Sequence, residues 1–283
     1  MFYGLATGVV DSGPFEFEHT LRDIQTLNDW AREGKLEVTA ISVHAYPYVQ
    51  DKYAILSSGA SMGATELVEY EYDKTTNPPT VKTAGLTGVH GPLLIAAEPI
   101  PLRELANKTI AIPGTMTSAF LTLQLALGKF DYEVIMFDQI PQAVLDGKVD
   151  AGLIIHEGQL TFQKSGLHCL LDLGRWWFEQ TALPLPLGCN VIRRDLGEKT
   201  MSQISDILKA SIEYGLSHRK EAVEYALQFG RGLDNDLADR FVGMYVNEWT
   251  VDYGPVGRRA IAELLKRGSL AELVPSVKEL RYV

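Results

Sequence analysis

An amphipathic helix followed by a short apolar strand occurs twice in this chain. The spacing of apolar residues predicts the first helix over residues 18–34, with its end at Gly34. Its inward positions are Leu21, Ile24, Leu27 and Ala31. The next segment, KLEVTAISVHAY, predicts a strand leading to His44. DQIPQAVLDGKVDAGLIIHEG repeats the order helix, glycine, lysine, strand and histidine, and reaches His156. The repeats lie about 110 residues apart, which predicts two similar lobes rather than a solenoid.

Residues 107–130, NKTIAIPGTMTSAFLTLQLALGKF, predict a strand, a tight turn and a helix. The apolar strand 109–112 enters a Pro-Gly turn, and Thr117 and Ser118 open the helix. The inward helix positions are Leu121, Leu125 and Leu127. A strand that passes through a glycine turn into a helix is typical of an α/β protein.

The rest of the chain contains a second kind of strand, a polar excursion and a helical tail. PLPLGCNVIRRDL, residues 184–196, predicts a strand that crosses between lobes, and the proline-containing segment 72–88 predicts a long loop. The tail predicts four helices, at about 199–218, 219–229, 235–249 and 255–267.

Together these elements predict a two-lobed α/β protein with a helical C-terminal segment. We expect residues 1–98 with 197–283 to form lobe one and residues 99–196 to form lobe two. The ligand would lie in a cleft between the lobes, where strand ends and helix N-termini meet.

Composition narrows the class of partner. The chain has 283 residues, a net charge of −10 and a pI of about 5.1, which argues against nucleic acid or an anionic membrane surface as a partner. No run approaches the ~18 apolar residues of a membrane span, and no signal peptide is evident, so we expect a cytoplasmic protein. Cys169 and Cys189 lack metal-ligand spacing and are predicted to be buried apolar thiols.

The turn from Pro113 to Ser118 is a candidate anion site. Glycine allows close backbone approach, and the free N–H groups and dipole at a helix start favour a carboxylate or phosphate. The hydroxyl groups of Thr117 and Ser118 add donors. An ordinary N-cap explains the same residues equally well, and the Gly-Lys-Ser/Thr ending of a P-loop is absent.

His156 is a candidate general base because histidine changes charge near neutral pH and this one ends a buried strand. A histidine hydrogen-bonded at a strand end is the alternative, and for an arbitrary protein it is the commoner case.

Ser42 and His44 occupy the matching place in the other unit, two residues apart on one strand face. Without a nucleophile elbow, we expect Ser42 to bind substrate and His44 to pack or orient. No histidine pair has metal-ligand spacing, so no metal site is predicted.

Several segments resemble one family over nearly the whole chain and in the same order. They are GKLEVTAISVHAYPYVQDKYAILSSGASMG, IAIPGTMTSAFLTLQL, GLIIHEGQLTF, DLGRWWFEQTALPLPLG and YVNEWTVDYGPVGRRAIAELL. They resemble 1,4-dihydroxy-6-naphthoate synthase of the futalosine route to menaquinone. This resemblance implies a type II periplasmic-binding-protein-like fold, a cytoplasmic location and cleavage of cyclic de-hypoxanthine futalosine. It implies no redox cofactor, because aromatisation of the naphthoate ring drives the bond cleavages.

The resemblance also implies site roles. The family's proposed base falls on His156, its carboxylate contacts on Thr117 and Ser118, and its first-lobe polar contact on Ser42; His44 is a supporting substrate-site residue. Chorismate dehydratase, which shares the fold, and a solute-binding protein are the alternatives. The oligomeric state is left open between monomer and homodimer.

Two features depart from the family pattern. Family members usually begin about a dozen residues earlier, with a first strand and an SPCPNDT-like loop, whereas this sequence opens at MFYGLATG. A start assigned too late is the favoured explanation, because loss of a central strand would leave neighbouring backbone groups unpaired. The segment 64–87 is longer than usual and is predicted to be a surface hairpin or part of a lid.

Overall fold

The computed structural model describes residues 1–73, 80–229 and 235–283. The strands are β1 Val38–Ser42, β2 Tyr53–Ile55, β3 Ser61–Met62, β4 Glu66–Asp73, β5 Thr80–Thr87, β6 Leu93–Ala96, β7 Thr109–Ile112, β8 Asp131–Val134, β9 Ala151–Ile154, β10 His168–Asp172 and β11 Pro186–Arg193. The helices are α1 Tyr3–Ala6, α2 Ile24–Glu33, α3 Ser118–Leu127, α4 Ile140–Leu145, α5 Leu173–Thr181, α6 Glu198–Ser217, α7 Arg219–Leu227, α8 Asn235–Tyr245, α9 Glu248–Val251 and α10 Gly254–Leu270.

The strands form two larger sheets and one hairpin. The first sheet has the order β1-β11-β2, with β3 also paired to β11, and all of its pairs are antiparallel. The second sheet has the order β10-β6-β9-β7-β8, and β7 runs parallel to both of its neighbours. The predicted α/β class is therefore confirmed.

Local sequence signals explain where the repeated helices begin and end. Gly34 and Gly147 follow helices α2 and α4 with φ angles of 73° and 68°, a left-handed conformation that glycine adopts without cost. The carboxylate of Asp23 accepts a hydrogen bond from the Thr26 N–H and starts helix α2. The predicted start at residue 18 was therefore too early, and Leu21 is 61% exposed.

Neighbouring residues of one strand point to opposite faces of the sheet and pack in different hydrophobic clusters. The main cluster joins both sheets, since it contains Ile41 of β1 and Ile112 of β7 together with Leu264 of α10. A second cluster packs the opposite face of the second sheet against α4, and a third packs Ile192 of the first sheet against Leu208 of α6. Both sheets are thus covered on two faces, as expected in an α/β protein.

Sheet membership differs from the predicted lobe boundaries at two strands. Strand β6 was assigned to lobe one by the boundary at residue 98, but it pairs with β9 and β10 in the second sheet. Strand β11 was assigned to lobe two, but it is the central strand of the first sheet. Backbone pairing between distant segments, rather than order along the chain, decides which sheet a strand joins. The division into two lobes itself stays a prediction.

The segments that lead into β6 and β11 are connected by backbone hydrogen bonds through Gly63. The N–H of His90 donates to the Gly63 carbonyl at 3.0 Å, and the Gly63 N–H donates to the Leu185 carbonyl at 2.8 Å. A Cβ added to Gly174 would lie 1.9 Å from the His90 carbonyl oxygen, so only glycine fits at this crossing. The segments before β6 and β11 therefore meet at one place.

Three further expectations need correction. The segment 72–88 is not a long loop, because β4 and β5 form an antiparallel hairpin, which agrees with the alternative of a surface hairpin; residues 74–79 lie outside the described residues. The predicted helix 235–249 is two helices, α8 and α9, because Asn247 caps α9. Cys189 is buried as expected, but Cys169 is exposed. Among the helices of the described residues, none is long and apolar enough to span a membrane.

Candidate functional site

The turn after β7 and the turn after β9 begin side by side. The two strands are parallel neighbours, with Ile110 paired to Ala151 and Ala111 paired to Gly152. Neighbouring strands lie about 5 Å apart, so the chain leaves the sheet at adjacent points and in the same direction. The Pro113–Ser118 turn and the turn bearing His156 therefore share the carboxyl edge of the second sheet, where ligands of open α/β sheets bind.

The hydroxyl groups of Thr117 and Ser118 are occupied by protein groups. The Thr117 hydroxyl accepts from the Phe120 N–H at 3.1 Å as the N-cap of α3 and donates to the Gly114 carbonyl at 3.0 Å. The Ser118 hydroxyl accepts from the His44 N–H at 3.2 Å and donates to the Leu187 carbonyl at 2.6 Å. Both residues are 2% exposed. Their hydroxyl protons are thus already used.

Backbone donors at the same helix start are free. In the part of the chain that the structure describes, the N–H groups of Ser118 and Ala119 donate to no protein acceptor. The Met116 N–H, by contrast, donates to the Gln25 side chain at 3.0 Å. Two free N–H groups at a helix N-terminus favour an anion through hydrogen bonds and the helix dipole. Any anion at this turn would meet the backbone rather than the two hydroxyls.

Ser42 ends β1 and joins the site through Asn28. The Asn28 side-chain oxygen accepts from the Ser42 N–H at 2.8 Å, and its amide donates to the Ser42 hydroxyl at 3.1 Å. The same amide lies 3.3 Å from the Met116 carbonyl. Asn28 thus connects α2 and β1 to the turn before α3, and the hydroxyl proton of Ser42 has no acceptor among the described residues.

His44 lies under the start of α3. It belongs to a 3-10 turn, Val43–Tyr48, so the expectation that it shares a strand face with Ser42 was wrong. Its Nδ1 lies 3.0 Å from the Thr117 carbonyl, and because a carbonyl only accepts, Nδ1 carries the proton. The residue is 3% exposed, and burial lowers the pKa of its imidazole below the ordinary range, against the raising effect of the Thr117 hydrogen bond. These contacts hold the helix start, and direct substrate contact by His44 stays a prediction.

His156 is half-buried and is held by two backbone groups. Its Nε2 lies 2.8 Å from the Phe137 carbonyl, so Nε2 carries the proton, and its Nδ1 accepts from the Gly158 N–H at 2.8 Å. The Phe137 ring contacts the imidazole edge-on, with ring centroids 5.4 Å apart. Both ring nitrogens are therefore occupied in this conformation, and a base role requires that Nδ1 be released from Gly158.

Four of the five predicted site residues thus form one hydrogen-bonded group, and the fifth, His156, lies next to it. Ser42, His44, Thr117 and Ser118 are linked by hydrogen bonds across β1, α3 and β11. His156 lies on the adjacent turn of the same sheet edge. Sequence reasoning missed Asn28 and Gln25. Asn28 did carry a signal, because it shares the buried helix face with Ile24 and Ala31 yet is polar.

No group of three His, Cys, Asp or Glu side chains is arranged to hold a metal ion in residues 1–73, 80–229 and 235–283. The described residues of the site supply hydrogen-bond donors, the dipole of a helix start and a histidine side chain that can transfer protons.

Comparison with known proteins gives a family and a fold. A family model described as menaquinone biosynthesis matches residues 1–66 and 70–269. A 1,4-dihydroxy-6-naphthoate synthase of Thermus thermophilus is 37% identical over 281 residues, covering 99% of this chain and 93% of the relative. A synthase of the same name from Streptomyces coelicolor is 33% identical over 283 residues, covering 98% and 91%.

Solved structures extend the comparison. The crystal structure of a protein from Archaeoglobus fulgidus is 41% identical with a TM-score of 0.84, covering 96% of this chain and 93% of that chain. An alkanesulfonate-binding protein from Xanthomonas axonopodis pv. citri is 12% identical with a TM-score of 0.58, covering 89% and 81%. The latter likeness shows the fold alone, which is the predicted periplasmic-binding-protein-like fold. The chain belongs to the 1,4-dihydroxy-6-naphthoate synthase family of menaquinone biosynthesis, a family of enzymes.

Proposed function

We propose that this chain is a lyase that converts cyclic de-hypoxanthine futalosine to 1,4-dihydroxy-6-naphthoate. The relatives carry this enzyme name, and the substrate follows from the family resemblance. The observation that supports it in the structure is the parallel pairing of β7 and β9, which sets free helix N–H groups beside the histidine turn. An acidic substrate and a proton acceptor would meet at such an edge.

In the proposed reaction, the substrate carboxylate binds the N–H groups of Ser118 and Ala119. The hydroxyl proton of Ser42, which has no acceptor among the described residues, is available to a second polar group of the substrate. His44 and the hydroxyl groups of Thr117 and Ser118 hold the start of helix α3 in place. Preorganised donors of this kind cost no reorganisation when charge develops on the substrate.

His156 is the proposed general base. Its Nδ1 takes a proton from the substrate and starts the fragmentation, and the sugar-derived part leaves as the naphthoate ring becomes aromatic. For this step the Gly158 N–H must leave Nδ1, because Nε2 already carries the proton donated to Phe137. A small shift of the turn on substrate binding would release the lone pair and exclude water.

The test is a comparison of two substrates. Purified protein is incubated with cyclic de-hypoxanthine futalosine and, separately, with chorismate, and products are followed by chromatography and mass spectrometry. Formation of 1,4-dihydroxy-6-naphthoate from the first substrate alone is the expected result. Turnover of chorismate alone would assign the dehydratase activity instead, and tight binding of either compound without turnover would leave a solute-binding protein.

The proposal includes a cytoplasmic location and an acidic small molecule as the partner. Cell fractionation checks the location, with recovery in the cytosolic fraction expected and recovery in the periplasm contradicting it. Light scattering on the purified protein decides between monomer and homodimer.

A further inference from the structure

Gln159 connects the turn that carries His156 to strand β9 and to helix α8. It lies three residues after His156, is 7% exposed, and donates its backbone N–H to the His156 carbonyl at 2.9 Å. Its side-chain amide lies 3.3 Å from the Ile154 carbonyl at the end of β9. Its side-chain oxygen accepts from the Tyr245 hydroxyl at 2.7 Å. One side chain therefore holds the turn to its own strand and to a helix of the C-terminal segment.

Tyr245 is itself firmly held. It is the last residue of α8, and its ring packs edge-on against His90 and Phe241 at centroid distances of 5.2 and 5.0 Å. Its carbonyl accepts from the Thr250 hydroxyl at 3.2 Å. Burial raises the pKa of the Tyr245 phenol well above its usual range, so the hydroxyl stays protonated and can donate throughout the physiological pH range.

The imidazole of His156 depends on the backbone of this same turn. Its Nδ1 accepts from the Gly158 N–H, which directly precedes Gln159 in the chain. A Cβ on Gly158 would lie 2.5 Å from the imidazole Cε1, so the ring packs directly on the turn. A displacement of Gln159 therefore changes the distance between Gly158 and Nδ1, the nitrogen whose lone pair the proposed reaction uses.

We propose that Tyr245 is a positioning residue whose hydroxyl, through Gln159, sets the orientation of the His156 imidazole. The kinetic consequence rests on the base role proposed above for His156, whereas the geometric consequence does not. Tyr245 touches no reacting atom in this scheme; it acts only through the turn. The bond also ties the helical C-terminal segment to the second sheet, so the position of α8 is transmitted to the imidazole.

The test uses Tyr245→Phe, which removes the hydroxyl and keeps the ring that packs on His90 and Phe241. The matched control is Tyr53→Phe, because the Tyr53 hydroxyl also donates to a distant protein group, the Leu36 carbonyl at 2.6 Å, which lies just before β1 and is not part of the His156 turn. The first measurement is the ¹⁵N spectrum of the imidazoles, with His156 assigned by its loss in His156→Asn. We expect one tautomer in the wild type, a shift toward averaged signals in Tyr245→Phe, and no change in Tyr53→Phe. An unchanged His156 signal in Tyr245→Phe overturns the proposal.

The second measurement is kinetic. Tyr245→Phe should lower kcat by about 10–100-fold with little change in KM, since misplacing a reacting group affects turnover more than binding. In a His156→Ala background the same substitution should cause no further loss. A further loss of similar size there would show that Tyr245 acts independently of His156 and would overturn the proposal.

Two controls separate this inference from the proposed function. If the wild type does not turn over the substrate, or His156→Ala retains full rate, the proposed function or the base role fails, and the imidazole spectrum alone decides the positioning role. If Tyr245→Phe does not fold, Gln159→Met replaces it, because methionine keeps the length and apolar stem of glutamine but loses both hydrogen bonds. The same spectral shift is expected, and its absence would again overturn the proposal.

Discussion

The two histidine turns of this protein follow the same sequence pattern but have opposite environments. His44 is 3% exposed, and its ring bonds a carbonyl 73 residues further along the chain. His156 is half-buried, its Nε2 donates to the Phe137 carbonyl 19 residues earlier, and its Nδ1 accepts from the Gly158 N–H only two residues away. A long-range bond in the core stabilises the fold, whereas a local bond at a sheet edge can open at little cost to the rest of the molecule. The difference supports the proposal that His44 has a supporting role and that His156 is the general base.

The largest expected effect tests the His156 side of this contrast. His156→Ala should lower turnover of cyclic de-hypoxanthine futalosine by ~10²–10⁴-fold while the melting temperature stays close to that of the wild type. Steady-state kinetics together with thermal unfolding measure both quantities. Wild-type turnover in the variant would show that His156 is not the general base, and neither histidine would then have a catalytic role.

His44→Ala should produce the reverse result. Loss of the buried ring and of its bond to the Thr117 carbonyl should lower the free energy of unfolding by about 2–3 kcal/mol, as measured by urea denaturation. His44→Asn is the matched variant, because its amide can donate from nearly the position of Nδ1, and it should retain about half of this stability. A fully stable His44→Ala protein would contradict the structural role.

Thr117→Ala tests the residue on which His44 rests. Removing the N-cap hydroxyl of α3 should cost about 1 kcal/mol in the free energy of unfolding, and Thr117→Ser should restore most of it because serine caps equally well. A large fall in substrate affinity in Thr117→Ala without loss of stability, restored in Thr117→Ser, would show instead that the Thr117 hydroxyl binds the substrate directly.

The smallest effect is the pH dependence of stability. Burial lowers the pKa of His44 below its ordinary value of 6.5 in the folded protein, so below about pH 6.5 the unfolded chain binds more protons than the folded one. The free energy of unfolding should therefore decrease as the pH is lowered from about 6.5, until the pH has passed below the pKa of His44 in the folded protein. The stability difference between wild type and His44→Asn, measured by urea denaturation, should shrink from pH 7.5 to pH 5. A constant difference would mean that His44 does not titrate in this range.

Much of the fold was predictable because its signals are local. The strand 109–112, the helix opened by Thr117 and Ser118, and the glycines that end α2 and α4 were all predicted and are confirmed. The errors arose where several local choices compete. Leu21 fits the helical spacing, but the Asp23 cap starts the helix later; the polar prolines of 72–88 suggested a loop, but the chain pairs with itself as a hairpin.

The site divides in the same way. The position of His156 after a buried strand and the glycine turn before α3 follow from residue order, because strand ends, caps and turns depend on neighbours in the chain. Their meeting at one sheet edge depends on β7 pairing with β9, and the burial of His44, the bridge through Asn28 and the bond from Tyr245 to Gln159 depend on which distant elements pack together. Such contacts form only when the whole chain has folded, since burial and backbone pairing between distant segments are collective properties that no short stretch of sequence determines.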